Sequence, residues 1–141
     1  MKLHYVIENG EYLKAGEASS NVKKVLKQLG IPSEIIRKVA IAMYEAEINM
    51  VIHANGGYMD VEILGDRICV SLVDVGPGIP DIELAMKEGY STASEKARGL
   101  GFGAGMGLPN IRKNSDFLKI ESEVGKGTIV KIEINLSPDS E

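Results

Sequence analysis

The chain has 141 residues and a net charge of −4, with 44% hydrophobic and 26% charged residues. This length and composition predict one compact domain over 1–141, ending in a loose tail at 137–141. The acidic balance argues against a nucleic-acid surface, and no apolar run reaches the length of a membrane span. The single cysteine, Cys69, leaves no internal disulfide and fits the cytoplasm, and its apolar neighbours predict a buried thiol.

The first part of the chain is predicted to form one strand and two helices. Alternating side chains predict a strand over 2–8. Apolar residues at helical spacing then predict a helix that begins near Glu17 and stops at Gly30. A longer helix is predicted over 34–54, with Ser33 as the residue that caps its start.

The second part of the chain is predicted to form two hairpins and a short helix. The first hairpin covers 58–74 and turns at Gly65-Asp66, and the second covers 117–136. A short helix is predicted over 109–114. Helices early and hairpins later predict an α+β fold, a two-layer sandwich in which a mixed, mostly antiparallel sheet carries helices on one face.

A first polar cluster interrupts the apolar half of the longer helix, in YEAEINMVIHA. Glu45 and Asn49 are four residues apart, which places them on one face, with His53 one turn further. A buried carboxylate is costly unless it is paired or used. The pair is therefore either a candidate site or a helix edge that contacts solvent and neighbouring backbone. Glu47 falls on a different face and is expected to be solvated.

A second cluster, DVGPGIPD, follows an apolar strand. Gly76 and Gly78 would permit a ligand to approach the backbone closely. The segment is equally typical of a tight turn, but a turn leaves Asp74 at the end of an apolar strand unexplained. An ionised carboxylate only accepts hydrogen bonds. The exocyclic amine of adenine donates one, whereas guanine has a carbonyl oxygen at that place, so Asp74 is a candidate for reading adenine.

A third cluster, RGLGFGAGMGLPNIR, has glycine at every second position from Gly99 to Gly107. Glycine-lined backbone can present N–H groups to phosphate, and Pro109 is suited to the first position of the helix that follows. The alternative is a flexible surface loop. No Lys-Ser or Lys-Thr follows the glycines, so the segment is not a P-loop, and it lacks the preceding strand of a dinucleotide-binding loop.

In their order and spacing, the three clusters resemble the motifs of the GHKL ATPase superfamily. The resemblance covers Tyr12 to about Leu136 and is carried by Glu45-x-x-x-Asn49, Asp74-x-Gly76-x-Gly78, the alternating glycines and Gly127-Thr128. The stretch EGYSTASEKARGLGFGAGMGLPNIRK is similar to the single-domain anti-sigma-factor serine/threonine kinases and partner-switching kinases of bacteria. This resemblance implies a Bergerat-type α/β sandwich.

The resemblance also implies ATP and Mg²⁺ as cofactors and assigns roles to single residues. Glu45 would be the general base, Asn49 would bind Mg²⁺, and Asp74 would bind adenine with Thr128 nearby. Residues 82–103 would form a lid over ATP. The other nucleotide-binding residues would be Gly76, Gly78, Ile79, Lys96, Arg98, Gly101, Gly103, Gly105, Met106, Gly107 and Leu108.

The implied activity is an ATP-dependent serine/threonine protein kinase whose substrate is a STAS-domain regulatory protein. A sigma factor or another regulated protein would be a further partner, with neither nucleic acid nor membrane involved, and the protein would be a monomer or a homodimer. Two alternatives remain: a non-catalytic ATP-binding anti-sigma or docking module, and the ATPase domain of a histidine-kinase-like protein. Glu45 favours the kinase, because binding alone requires no base beside the γ-phosphate.

Overall fold

The computed structural model describes residues 1–8, 15–53, 56–75 and 107–136. Within these ranges, the chain forms three helices and five strands. In chain order the elements are β1 (Lys2–Ile7), α1 (Glu17–Gln28), α2 (Ser33–His53), β2 (Gly57–Ile63), β3 (Arg67–Val75), α3 (Gly107–Lys113), β4 (Phe117–Glu123) and β5 (Gly127–Asn135).

The five strands form one sheet in the order β1-β2-β3-β5-β4. Every neighbouring pair in the described ranges is antiparallel. The predicted turn at Gly65-Asp66 is confirmed, since the Leu64 amide donates to the Arg67 carbonyl oxygen at 2.9 Å. The prediction of an α+β fold built on a mostly antiparallel sheet is confirmed.

Helices cover one face of the sheet, and the core lies between the two layers. Along β3, Ile68, Val70 and Leu72 are buried and alternate with residues that face the other side. Cys69 is one of the latter and is only half-buried. The prediction of a buried thiol is therefore wrong, because the alternation of the strand places Cys69 on the face that no described helix covers.

The helical layer is centred on α2, which packs between α1 and α3 and also contacts the sheet. Val22 of α1, Val39 of α2 and Ile111 of α3 are each 0% exposed. Burying one such side chain contributes about 1.5–3 kcal/mol to folding. None of the helices in the described ranges is both long and apolar enough to cross a membrane.

Helix ends agree with the sequence to within one or two residues. α1 stops as predicted before Gly30, which has the left-handed φ of 75°. Ser33 is the first residue of α2 and not its cap, because the Pro32 carbonyl oxygen already accepts the Ile36 amide at 3.1 Å. Pro109 stands third and not first in α3, still within the first turn, where its missing N–H removes no helical hydrogen bond.

Candidate functional site

The carboxylate of Glu45 lies at the interface between α2 and α3. Glu45 and Asn49 are each partly exposed, although Ala46 and Ile48 between them are buried. The side-chain amide of Asn110 donates from Nδ2 to Glu45 Oε1 at 3.4 Å. The structure thus connects the predicted base to the helix that follows the glycine-rich segment.

Asp74 lies near the end of β3, between β2 and β5, and is paired with Gly57 on one side and Thr128 on the other. The Thr128 amide donates to Asp74 Oδ1 at 2.9 Å. Among the described residues, this is the hydrogen bond that the carboxylate accepts. A carboxylate offers about four acceptor positions, and the described residues occupy one of those of Asp74.

Burial raises the pKa of Asp74 above its usual 3.8, and the hydrogen bond from the Thr128 amide opposes this rise. A carboxyl group whose pKa is raised in the folded state stabilises the fold at low pH, and that stabilisation is lost as the pH rises through the raised value. The hydrogen bond from Thr128 therefore does not fully offset the cost of burying ionised Asp74. A ligand that donates a hydrogen bond to this carboxylate, as the adenine amine does, would stabilise its ionised form.

Two glycines let the neighbouring strands approach Asp74 closely. A Cβ atom at Gly57 would lie 2.3 Å from the Val73 carbonyl oxygen and 2.8 Å from Asp74 Cα. A Cβ atom at Gly127 would lie 2.1 Å from the Asp74 carbonyl oxygen, and Gly127 has a φ of 142° that side chains rarely adopt. Both strands flanking Asp74 thus require glycine at this end of the sheet.

The same region brings α2 to the end of β3. Met50 follows Asn49, and its Cε atom lies 2.5 Å from the place that a Gly57 Cβ would take. Gly57 is also the residue paired with Asp74. The helical turn that carries Asn49 therefore adjoins the strand end that carries Asp74, as a shared site requires.

Thr128 is almost fully buried, with 7% exposure, and its hydroxyl is part of a small network. Its Oγ1 lies 2.9 Å from Ser122 Oγ on β4. The Ser122 hydroxyl also reaches the Gly127 carbonyl oxygen at 3.2 Å. Thr128 thus supports Asp74 through its backbone while β4 holds its side chain.

Glu47 is the clearest departure from the sequence analysis. It was expected to be solvated, but it is 2% exposed. Its Oε2 accepts the amides of Gly16 at 2.9 Å and Ala18 at 3.3 Å. Its Oε1 accepts the amide of Ser19 at 3.1 Å. The expectation is wrong because Glu47 faces the start of α1, whose first N–H groups have no partner within that helix.

Several predicted site residues lie outside the described residues, so their places in the fold stay predictions. They are Gly76, Gly78, Ile79, Lys96, Arg98, Gly101, Gly103, Gly105 and Met106, together with the predicted lid at 82–103. Gly107 begins α3. Leu108 is 8% exposed and packs in the core, so any contact it makes with a nucleotide would come from its backbone.

Three residues at the site were missed from the sequence. Gly57 is not among the predicted site residues, although two successive glycines before a strand indicate a close approach. Ser122 and Asn110 carried no local signal. Their importance arises from strand register and helix packing, which a single sequence does not specify.

Alanine at Gly57 is expected to destabilise the fold by about 2–4 kcal/mol, because its Cβ would meet backbone atoms that have no room to move. Gly65→Ala is the matched control, since a Cβ at Gly65 would meet no atom within 4 Å. Urea denaturation of both variants measures the difference. Equal stabilities for the two variants would show that β2 and β3 are not packed so closely.

The described residues fit a nucleotide. A half-buried acceptor at Asp74 suits the adenine amine. At the other end, the amide oxygen of Asn49 suits Mg²⁺, which prefers oxygen ligands and keeps phosphates and waters for its remaining positions. Glu45 lies one helical turn from Asn49 on the same face of α2.

The fold is an antiparallel sheet covered by a helical layer, and the site has polar groups on one helix and at the end of one strand. Together they define an ATPase-type domain of the GHKL class. The chain belongs to the histidine kinase-like ATPase domain family, whose sequence model matches residues 11–134. Membership in a family of ATPase domains implies a nucleotide-binding site.

Characterised relatives carry two kinds of name. The serine/threonine-protein kinase RsbT of Bacillus subtilis is 30% identical over 113 residues, a match covering 77% of this chain and 79% of the relative. The anti-sigma F factor of a Thermoanaerobacter species is 36% identical over 110 residues, covering 74% of this chain and 73% of the relative. The relatives thus support a partner-switching kinase or an ATP-binding anti-sigma module.

A solved structure supports the fold independently. The crystal structure of the RsbU and RsbW domains of a Mycobacterium tuberculosis protein aligns with a TM-score of 0.62 over 94% of this chain, at 15% sequence identity. The present chain spans 32% of that longer chain. At this level of identity the likeness concerns the fold.

Proposed function

We propose that this protein is an ATP- and Mg²⁺-dependent serine/threonine protein kinase that phosphorylates a STAS-domain regulatory protein in the cytoplasm. The observation that carries this proposal is the partly exposed Glu45, one turn before Asn49 on the same helix. Binding ATP alone requires no carboxylate beside the phosphates, where it would repel them. Removing a proton from an attacking hydroxyl does require such a group.

The residues of the chain divide the work of the reaction. Asp74, supported by Thr128, would bind the adenine, and Asn49 would give its amide oxygen to Mg²⁺. Bound MgATP supplies the transferable phosphoryl group. Glu45 would accept the hydroxyl proton of the partner as the hydroxyl oxygen bonds to the γ-phosphorus and ADP leaves. The alternating glycines of 99–107 would contact the phosphates through their N–H groups.

The proposed partner follows from the relatives and from the charge of the site. RsbT and the anti-sigma F factors are names from partner-switching regulation, which supports a STAS-domain substrate and a sigma factor or other regulated protein as a further partner. Phosphorylation adds nearly two negative charges to the substrate. Because Glu45 and the nucleotide phosphates are also negative, the product would be repelled and released.

Phosphotransfer tests the proposal directly. The protein is incubated with radiolabelled ATP, Mg²⁺ and purified STAS-domain proteins encoded near its gene, and the labelled residue is identified. We expect label on a serine or threonine of one of them.

A second experiment tests the proposed role of Asp74. Asp74→Asn should weaken ATP binding about tenfold in calorimetry, because the amine of the buried adenine loses its acceptor. The same variant should discriminate less against GTP. If no STAS-domain protein is labelled, the proposed substrate class is wrong. If Asp74→Asn binds ATP as tightly as the wild type, the proposed role of Asp74 is wrong.

A non-catalytic anti-sigma module is the second candidate, favoured by the relatives named anti-sigma F factor. In that case ATP would support sequestration of a partner and no phosphate would be transferred. The two candidates differ in what they require of Glu45. A binding module would tolerate the loss of its charge, whereas a kinase would not.

A further inference from the structure

The amide of Asn110 contacts one oxygen of the proposed base. Asn110 Nδ2 donates to Glu45 Oε1 across 3.4 Å, in a partly buried position between α3 and α2. The two residues are 65 positions apart in the chain. This contact engages Oε1, so Oε2 of the same carboxylate is the oxygen that can turn toward an incoming hydroxyl.

The backbone of Asn110 is fixed from both sides. The neighbouring Ile111 is 0% exposed and anchors α3 in the core. The Asn110 carbonyl oxygen accepts a hydrogen bond from Asn114 Nδ2 at 2.9 Å. Asn110 therefore extends from a short helix whose place is set by packing and by its own end contacts, and its side-chain amide reaches Glu45 from this anchored backbone.

A glutamate side chain has three rotatable bonds and many rotamers. Holding a reacting group in one geometry before the substrate arrives removes part of the entropic barrier to reaction. A neutral amide donor suits this task, because it orients the carboxylate without placing a full positive charge beside it. A lysine at the same place would form an ion pair and weaken the base.

We propose that Asn110 is a positioning residue for phosphotransfer, orienting the Glu45 carboxylate through the hydrogen bond between Nδ2 and Oε1. This inference rests on the proposed role of Glu45 as general base. It adds a second role for the region after the glycine-rich segment: α3, which begins there, would set the geometry of proton removal.

The kinetic test compares Asn110→Ala and the isosteric Asn110→Asp with the exposed Arg112→Ala on the same helix. With the STAS protein labelled in the experiment above, both Asn110 variants should lower kcat about tenfold, with KM for ATP within about twofold. Asn110→Asp keeps the shape of the side chain but replaces the donor with an acceptor, so its kcat should be no higher than that of Asn110→Ala. Arg112→Ala should leave kcat within about twofold. A kcat equal to that of the wild type in both Asn110 variants would overturn the proposal.

A double-mutant cycle separates positioning from general damage. In a Glu45→Gln background, Asn110→Ala should change the residual rate by less than about twofold, because the group it orients is no longer a base. A merely structural Asn110 would lower the rate by the same factor in both backgrounds, and that result would overturn the proposal.

A spectroscopic measurement tests the contact without any activity. In ¹⁵N-labelled protein, Glu45→Gln should shift the side-chain NH₂ signals of Asn110, while those of Asn21, which accepts from the Tyr5 hydroxyl elsewhere, should stay in place. Unshifted Asn110 signals would overturn the contact itself. If the wild-type protein transfers no phosphate although the signals shift, the proposed kinase function fails, and with it the positioning role of Asn110, while the contact stands.

Discussion

Glu45→Gln is expected to lower phosphotransfer about 10²–10⁴-fold, the usual contribution of a positioned general base. Glutamine keeps the length and shape of the side chain, and its carbonyl oxygen can still accept from Asn110. It does not take a proton from a hydroxyl at neutral pH. Single-turnover transfer of labelled phosphate, with ATP in excess, measures this loss without interference from product release.

Nucleotide affinity should separate catalysis from binding in the same variant. Glu45→Gln removes a negative charge near the phosphates, so ATP should bind equally well or more tightly. Asn49→Ala is the companion variant one turn along α2, and it should weaken binding in the presence of Mg²⁺ but not in its absence. A Glu45→Gln protein that transfers phosphate at the normal rate would favour the anti-sigma module. Equal loss of binding in both variants would make Glu45 a structural residue.

The sequence predicts the elements of this fold well because their signals are local. The alternation in RICVSLVD specifies which side chains of β3 face the core, and Ile68, Val70 and Leu72 are buried accordingly. Gly65-Asp66 specifies the turn that joins β2 to β3. Patterns with a period of about two or 3.6 residues are properties of the chain itself, so tertiary structure adds little to them.

The site is only half predictable, because its remaining parts depend on distant packing. Asp74 stands out in the sequence as a charge that ends an apolar strand. Asn110 does not stand out, since its importance comes from a contact with Glu45, 65 residues away in the chain. Gly57 is likewise recognised only when the register places it against Asp74. Such pairings require the relative placement of α2, α3 and the sheet.

Glu47 shows where a local rule gave the wrong answer although a signal was present. A charged residue that lies off the candidate-site face of a helix is usually solvated, and this rule predicts an exposed Glu47. The structure instead gives the N-cap position of α1 to Gly16, which has no side chain and therefore makes no capping hydrogen bond. A helix start without a capping side chain, together with one carboxylate in the apolar run EINMVI, indicates that the carboxylate supplies the cap.

Glu47→Ala is accordingly expected to lower the free energy of unfolding by about 3 kcal/mol, because it leaves buried N–H groups at the start of α1 without an acceptor. A negative charge at this end of the helix also interacts favourably with the helix dipole, and the variant loses that contribution. Urea denaturation measures the change. Glu47→Gln keeps one acceptor oxygen and should lose about half as much.

The matched control for this prediction is Glu34→Ala. It removes an exposed glutamate from the first turn of α2, the helix that also carries Glu47, and should cost about 0.5 kcal/mol or less.

Hydrogen exchange locates the effect, since the amides of Gly16, Ala18 and Ser19 lose their acceptor in Glu47→Ala and should exchange faster than those in the middle of α1. ATP affinity should persist in the folded variant, because Glu47 faces α1 and not the side of α2 that carries Glu45 and Asn49. If Glu47→Ala proves as stable as Glu34→Ala, with these three amides still protected, then the start of α1 is held by other contacts and the carboxylate does not cap it.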